Sequence, residues 1–217
     1  MLPVSRMHTV LSYEVLKDGT EVVIRTVRPD DGALLVEGFA QLGADSRYQR
    51  FFTPKSALTD AELDFLTHPD DDRNYVLGAL SWTEDGTVRP LGLARYVRVP
   101  PALPGAPDGG GPDDVAEAAI VVVDALQGKG LGKLLLKKLA AAAYYRGIRR
   151  FRAEVLENNA SVHKLVRSLD PGAHVVAHAQ GTEILDIALP VPSAIDGRPF
   201  RVKARRSAPP AARGPYP

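Results

Sequence analysis

Cysteine does not occur in this chain, so disulfides, thiolate nucleophiles and cysteine-held zinc are excluded. An excess of either charge is missing too. The 27 basic and 26 acidic residues leave a net charge of +1, which gives no footing for nucleic acid as the main partner. No apolar run approaches the roughly 20 residues that a membrane-spanning helix needs, and Met1–Val15 lacks the continuous apolar stretch of a signal peptide. The expectation is a cytoplasmic protein without a membrane partner. What remains suits a globular domain: 217 residues, 45% hydrophobic and 24% charged, long enough to bury a sizeable core and carry extensions.

The pattern along the chain predicts an α/β domain over residues 20–190. Glu21–Arg28 is rich in β-branched residues and stopped by Pro29, as a first strand would be. Ala33–Leu42 and Asp45–Phe52 follow with helical patterns, and Thr59-Asp-Ala-Glu62 has the capping-box spacing that opens a third helix. Tyr75–Trp82 and Leu91–Val99 read as a strand pair turning at Glu84-Asp85-Gly86, with Tyr75 and Trp82 in its core. Pro100–Asp114 is rich in proline and glycine and reads as a surface excursion. Then come a central strand at Val115–Val123 and a long helix at Leu131–Arg146. That helix carries Leu131, Leu135 and Leu139 on one stripe, with Gly147 as its C-cap. A strand at Arg150–Leu156, a helix at Asn159–Leu169, and strands at Ala173–Ala179 and Glu183–Leu189 close the domain. An N-terminal extension (1–19) and a Pro/Arg-rich tail (191–217) flank it. The tail has too little apolar surface to offset the cost of ordering and is expected to be disordered.

The most informative stretch is Gln127-Gly128-Lys129-Gly130-Leu131-Gly132, between the apolar strand and the long helix. A strand running through a glycine-rich turn into a helix N-terminus makes an anion site, because the first N–H groups of the helix have no partner and glycine admits a ligand to the backbone. The spacing separates it from two common phosphate binders. A P-loop would need glycine at Gln127 and Ser or Thr at Leu134, and a dinucleotide fingerprint would need glycine at Lys133 or Leu135.

Gln-x-x-Gly-x-Gly in this context resembles the signature of the GNAT N-acetyltransferase superfamily. The resemblance spans roughly Glu21–Leu189 in matching element order, and within the superfamily it points to the bacterial protein (lysine) acetyltransferases of the Pat type. It implies a GNAT fold with a mixed central sheet of six to seven strands and acetyl-coenzyme A as co-substrate. It also implies N-acetyl transfer to a primary amine, a protein lysine ahead of a small amine. A small-molecule or antibiotic acetyltransferase and a non-catalytic acyl-coenzyme A sensor remain alternatives, and a homodimer stays open.

Residue by residue, the resemblance assigns the pyrophosphate to Gln127, Gly128, Lys129, Gly130, Leu131, Gly132 and Lys133, and the pantetheine arm to the backbones of Val121, Val122 and Val123. Lys133 could equally be a solvated charge at the helix entry. Asn159 matches an asparagine that contacts the cofactor arm, although asparagine is also an ordinary N-cap and Asn158 is an alternative register. Glu117 is the lone carboxylate of the central strand. Burial there would raise its pKa towards that of a working base, the role this position holds in the resembled branch; the competing reading is a solvated charge at the strand's start. The leaving-group tyrosine of many relatives is replaced, since the pair reads Leu165-Val166 with Asp170-Pro171 after it. Ser46-Arg47-Tyr48-Gln49-Arg50-Phe51-Phe52 closely matches a Pat-type stretch, which implies either acceptor recognition or plain helix packing. No metal site is expected: His174 and His178 lack a third ligand.

Overall fold

The computed structural model describes residues 10–70, 72–100 and 114–192. The surface excursion and the basic tail therefore lie almost entirely outside the described residues. Eight strands form one sheet: β1 (Val10–Val15), β2 (Glu21–Thr26), β3 (Asn74–Trp82), β4 (Val88–Arg98), β5 (Val115–Val122), β6 (Arg150–Leu156), β7 (His174–Ala179) and β8 (Thr182–Ala188). Their spatial order is β1-β2-β3-β4-β5-β6-β8-β7, antiparallel everywhere except between β5 and β6. The strand count exceeds the expected six to seven because β1, which lies in the stretch read as an extension, pairs antiparallel with β2 and forms one edge of the sheet.

Helix α4 (Leu131–Tyr145) carries β5 over to β6 on one face of the sheet. Its leucines 131, 135 and 139 are fully buried against Tyr96, Ala94, Ala116, Phe151 and Ile187. Each such leucine contributes on the order of 1.5–3 kcal/mol through burial. α5 (Ala160–Arg167) joins the same core through Val166 and Leu165. Gly92 of β4 is required by this packing, because a Cβ there would stand 2.8 Å from the Val121 carbonyl oxygen and 3.2 Å from Leu135. Trp82 departs from expectation: it ends β3 half-exposed, past the last buried rung, whereas Tyr75 is buried and stacks on Tyr96 at 5.6 Å.

The opposite face carries α1 (Gly32–Ala40), α2 (Ala44–Phe51) and α3 (Asp60–Thr67). The capping box forms as the spacing predicts: Glu62 N–H donates to Thr59 Oγ1, and Glu62 accepts from Thr59 N–H. A buried ion pair anchors α1. Arg25 on β2 donates to both carboxylate oxygens of Asp31 at 2.6 and 2.7 Å, and Arg28 N–H adds a third bond at 2.7 Å. No helix among the described residues is long and apolar enough to cross a membrane.

Burial pushes the Asp31 carboxyl up, but the Arg25 guanidinium and the Arg28 N–H outweigh it and hold it below the usual carboxylate range. The pair therefore stabilises the fold above the carboxyl's unfolded value, and its contribution fades as pH falls through the lower folded value. Asp31→Asn should cost about 3–5 kcal/mol in urea unfolding at pH 7, with the gap to wild type narrowing in strong acid. A loss below about 1 kcal/mol at pH 7 would contradict the anchoring role.

Candidate functional site

β5 pairs with β4 along its length, from Ala116 opposite Arg98 to Val122 opposite Gly92. With β6 it makes only three rungs, Val115 with Arg150, Ala116 with Phe151 and Glu117 with Arg152. β6 stays paired with β8 throughout, so the two halves of the sheet part beyond Glu117. Main-chain groups alternate sides along a strand. The Val123 N–H bonds the Leu91 carbonyl on the β4 side, whereas the Asp114 carbonyl accepts from Arg149 and Arg150 on the β6 side. By that alternation Ala118, Ile120 and Val122 direct their N–H and C=O groups into the gap, while Val121 and Val123 direct theirs to β4. Of the three valines implicated from sequence, Val122 alone offers its backbone to the opening.

The gap leads into the glycine turn. Gly128 and Gly130 sit at φ +74° and +99°, conformations that side chains rarely adopt, and a Cβ on either would meet nothing within 4 Å. No side chain caps α4, and Leu134 N–H to the Gly130 carbonyl (3.1 Å) is its first closing bond. The preceding N–H groups thus have no partner within the helix, at its positive end. The residues present fit an anion here. Leu131 is fully buried and belongs to the core, and Lys133 is exposed. Lys129 pairs with Asp18 of the β1–β2 turn at 2.9 Å, and that bond leads the causes holding the Asp18 carboxyl down at about 2.

α2 spans the mouth of the gap, a connection with no signal in sequence. Gln127 Nε2 donates to Ser46 Oγ (3.0 Å), to Asp124 Oδ1 (3.2 Å) and to the Val122 carbonyl (3.3 Å), so this side chain staples α2 to the turn. Asp124 Oδ2 accepts from Gly43 N–H at the start of α2. On the far side Asn159 caps α5 by accepting from Val162 N–H, and its Nδ2 donates to Gln49 Oε1 at 3.3 Å. Asn159 is buried and Asn158 exposed, which selects Asn159 as the N-cap. Ser46, Gln49 and Arg50 of the Ser-Arg-Tyr-Gln-Arg-Phe-Phe stretch share one helix face by their i, i+3, i+4 spacing.

Glu117 stands at the last rung before the strands part, and its side chain is exposed. The burial expected from its apolar strand is absent: the side chain leaves the sheet on the face opposite α4, where no helix covers it. On that same face, beside β5, a cavity of about 470 Å³ lies between α1–α3 and strands β2–β5, with Val121 and Val123 in its wall. His178 bonds Glu157, and His174 approaches the Gly172 carbonyl; both are exposed on β7.

A mixed sheet split beside a glycine turn and an uncapped helix N-terminus defines an α/β protein with an open strand edge next to an anion-binding position. The model of the acetyltransferase (GNAT) family matches residues 43–170, and the chain belongs to that family. It is similar to the acetyltransferase Pat of Mycolicibacterium smegmatis, 28% identical over 187 residues, covering 85% of this chain and 50% of that protein. The chain thus spans half the length of that relative. The crystal structure of the GNAT domain of S. lividans PAT is similar over 82% of this chain and 96% of its own, at 34% identity and a TM-score of 0.69. A Salmonella typhimurium structure solved with its cofactor acetyl-CoA shares the fold at 21% identity, with a TM-score of 0.56 over 77% of this chain and 92% of its own.

The Gly43–Asp124 contact carries a direct test. A Cβ at Gly43 would stand 2.7 Å from Asp124 Oδ2, so Gly43→Ala should displace the carboxylate and cost about 0.5–1.5 kcal/mol for the lost bond. In an Asp124→Ala background that cost should largely vanish. Equal costs in both backgrounds, measured by urea unfolding, would show that the loop and α2 are not coupled there.

Proposed function

We propose that this domain transfers the acetyl group of acetyl-coenzyme A to a primary amine by direct attack within a ternary complex. The observation that carries this reading is the early end of the β5–β6 ladder, which leaves the gap-facing main-chain groups of Ala118, Ile120 and Val122 without a strand partner beside an uncapped, glycine-lined helix N-terminus. The pantetheine arm would add to the open edge of β5 through Val122 and Ile120, and the pyrophosphate would lie on Gly128–Lys133. Lys129 would exchange its Asp18 partner for a phosphate oxygen. Val121 and Val123 support the strand with their backbones and face the acceptor cavity with their side chains. Gln127 and Asn159 hold the mouth in shape through Ser46 and Gln49. The fold shared with the acetyl-CoA-bound Salmonella structure supports this placement.

The bound thioester supplies an activated acetyl carbonyl. A nitrogen–carbon bond forms as the carbon–sulfur bond breaks, and the amine proton must go to a base. Glu117 is the nearest carboxylate along β5 to the parting of the strands, and being exposed it can take that proton through a water. The thiolate takes a proton from solvent, since Leu165-Val166 provides no tyrosine. With no cysteine in the chain, there is no thiol to carry an acetyl intermediate. The likeness to Pat favours a protein lysine as acceptor. The cavity beside Val121 favours a second reading, a small amine.

Two variants separate cofactor binding from proton transfer. Gly130→Asp places a side chain and a negative charge against the pyrophosphate and should weaken coenzyme A binding by more than roughly tenfold. Glu117→Gln should leave that binding intact and lower turnover about 10²–10⁴-fold near neutral pH. Part of the lost activity should return at high pH, where the amine deprotonates unaided. Wild-type turnover across the pH range would remove Glu117 from the mechanism; unchanged coenzyme A affinity in Gly130→Asp would remove the turn.

A further inference from the structure

The cavity under α1–α3 is walled mostly by apolar side chains, among them Leu35, Phe39, Phe51, Phe65 and Val121. Five charged side chains also line it: Arg25, Asp31, Arg50, Glu62 and Arg95. Both acids are already committed. Asp31 is held by Arg25 and the Arg28 N–H, and Glu62 by Lys55 Nζ at 2.9 Å and by Thr59. Arg50 and Arg95 are not. Among the described residues their guanidinium groups make no hydrogen bond or ion pair, and each lies over a ring, Arg50 at 5.0 Å from the Phe51 centroid and Arg95 at 5.2 Å from that of Phe65.

Two half-buried guanidinium groups therefore keep their N–H donors available to a ligand that enters the cavity. Burial, and next the charge of Arg95, push the Arg50 group down only to about 10, so it remains a cation at neutral pH. Burial lowers Arg95 in the same way, while Glu117 and Glu62 act against it. The cavity therefore has an apolar body and a positive end whose two guanidinium groups make no direct ion pair among the described residues, the complement of an amphipathic acid. A guanidinium fork suits a carboxylate in particular, because it can donate two parallel hydrogen bonds.

We infer that Arg50 and Arg95 receive a carboxylate of the acceptor, so that this domain selects amines carrying an acid group on an apolar stem. This rests on the proposed cofactor position, since Val121 and Val123 bring the cavity wall to the strand on which the thioester would lie. The acid group can belong to a free amino acid or to an acidic residue beside a lysine in a peptide. The same arginines read both.

Binding to the full chain without acetyl-coenzyme A tests the inference independently of turnover. One arm compares aminocaproate with its uncharged amide. The other compares a lysine peptide bearing aspartate next to the lysine with its asparagine counterpart. The acid should bind at least roughly tenfold tighter than its neutral partner in one arm, and that arm identifies the source. The preference should fall to about one in Arg50→Gln and in Arg95→Gln, while Arg50→Lys, which keeps the charge, retains part of it. Equal binding of acid and neutral forms in both arms would overturn the inference, as would a preference that survives both glutamine substitutions in variants that melt like wild type. Coenzyme A affinity measured on the same samples should not change. An intact acid preference in a protein that fails to bind coenzyme A would uphold the arginine pocket and sink the cofactor placement instead.

Discussion

The parting of β5 from β6 after three rungs is the constraint on which the rest of the molecule depends. Each strand is fully paired on its other side, β5 with β4 and β6 with β8, so neither can move to close the gap. The first turn of α4 lies beside the opening, with Leu131 buried in the core and Gly132 next to Val122. Main-chain N–H and C=O groups do not stay idle without loss, and a strand edge next to a wedge-shaped opening is a ready partner for an extended ligand. The glycine turn lies at the end of the same strand. One strand therefore presents both hydrogen-bonding groups for a chain and a positive helix end for a phosphate.

The two faces of the sheet divide the work. On the α4 face leucines, alanines and aromatic rings fill the space, and this side supplies most of the apolar burial. On the α1–α3 face the apolar cluster is small, Val27, Leu66 and Val76, and charged side chains share the space with it around a hollow. Such a face is held by specific bonds, the Arg25–Asp31 pair above all, more than by packing. α2 belongs to both regions. Its Ser46 and Gln49 close the mouth of the gap, and its Arg50 lines the hollow, so one short helix ties the two proposed binding regions together.

Features written in local spacing were legible in the sequence. The Leu131, Leu135 and Leu139 stripe, the Thr59–Glu62 capping box and the glycine turn all appear where the chain places them, since each depends on residues a few positions apart. The GNAT family was legible for the same reason, through the Gln-x-x-Gly-x-Gly turn in its strand–helix setting. What depends on distant registers was not. The gap is a property of which strand pairs with which, and the staple from Gln127 to Ser46 crosses 81 positions. The apolar neighbours of Glu117 suggested burial, but they line the strand while its side chain leaves the sheet on the face opposite α4 and stays exposed. Trp82 looked like core because its strand is buried, yet it falls two rungs past Leu80, the last buried residue of that strand. β1 did carry a local signal, Asp18-Gly19 between two apolar segments, which is the same hairpin chemistry as Asp85-Gly86 and could have placed it.

Amide hydrogen exchange along β5, with and without coenzyme A, tests the central claim most directly. The account predicts that coenzyme A strongly slows exchange at Ile120 and Val122, whose N–H groups face the gap. Val121 and Val123, already bonded towards β4, should change little. Protection that is absent from Ile120 and Val122, or that falls equally on all four, would contradict the assignment of the open edge of β5 as the cofactor groove.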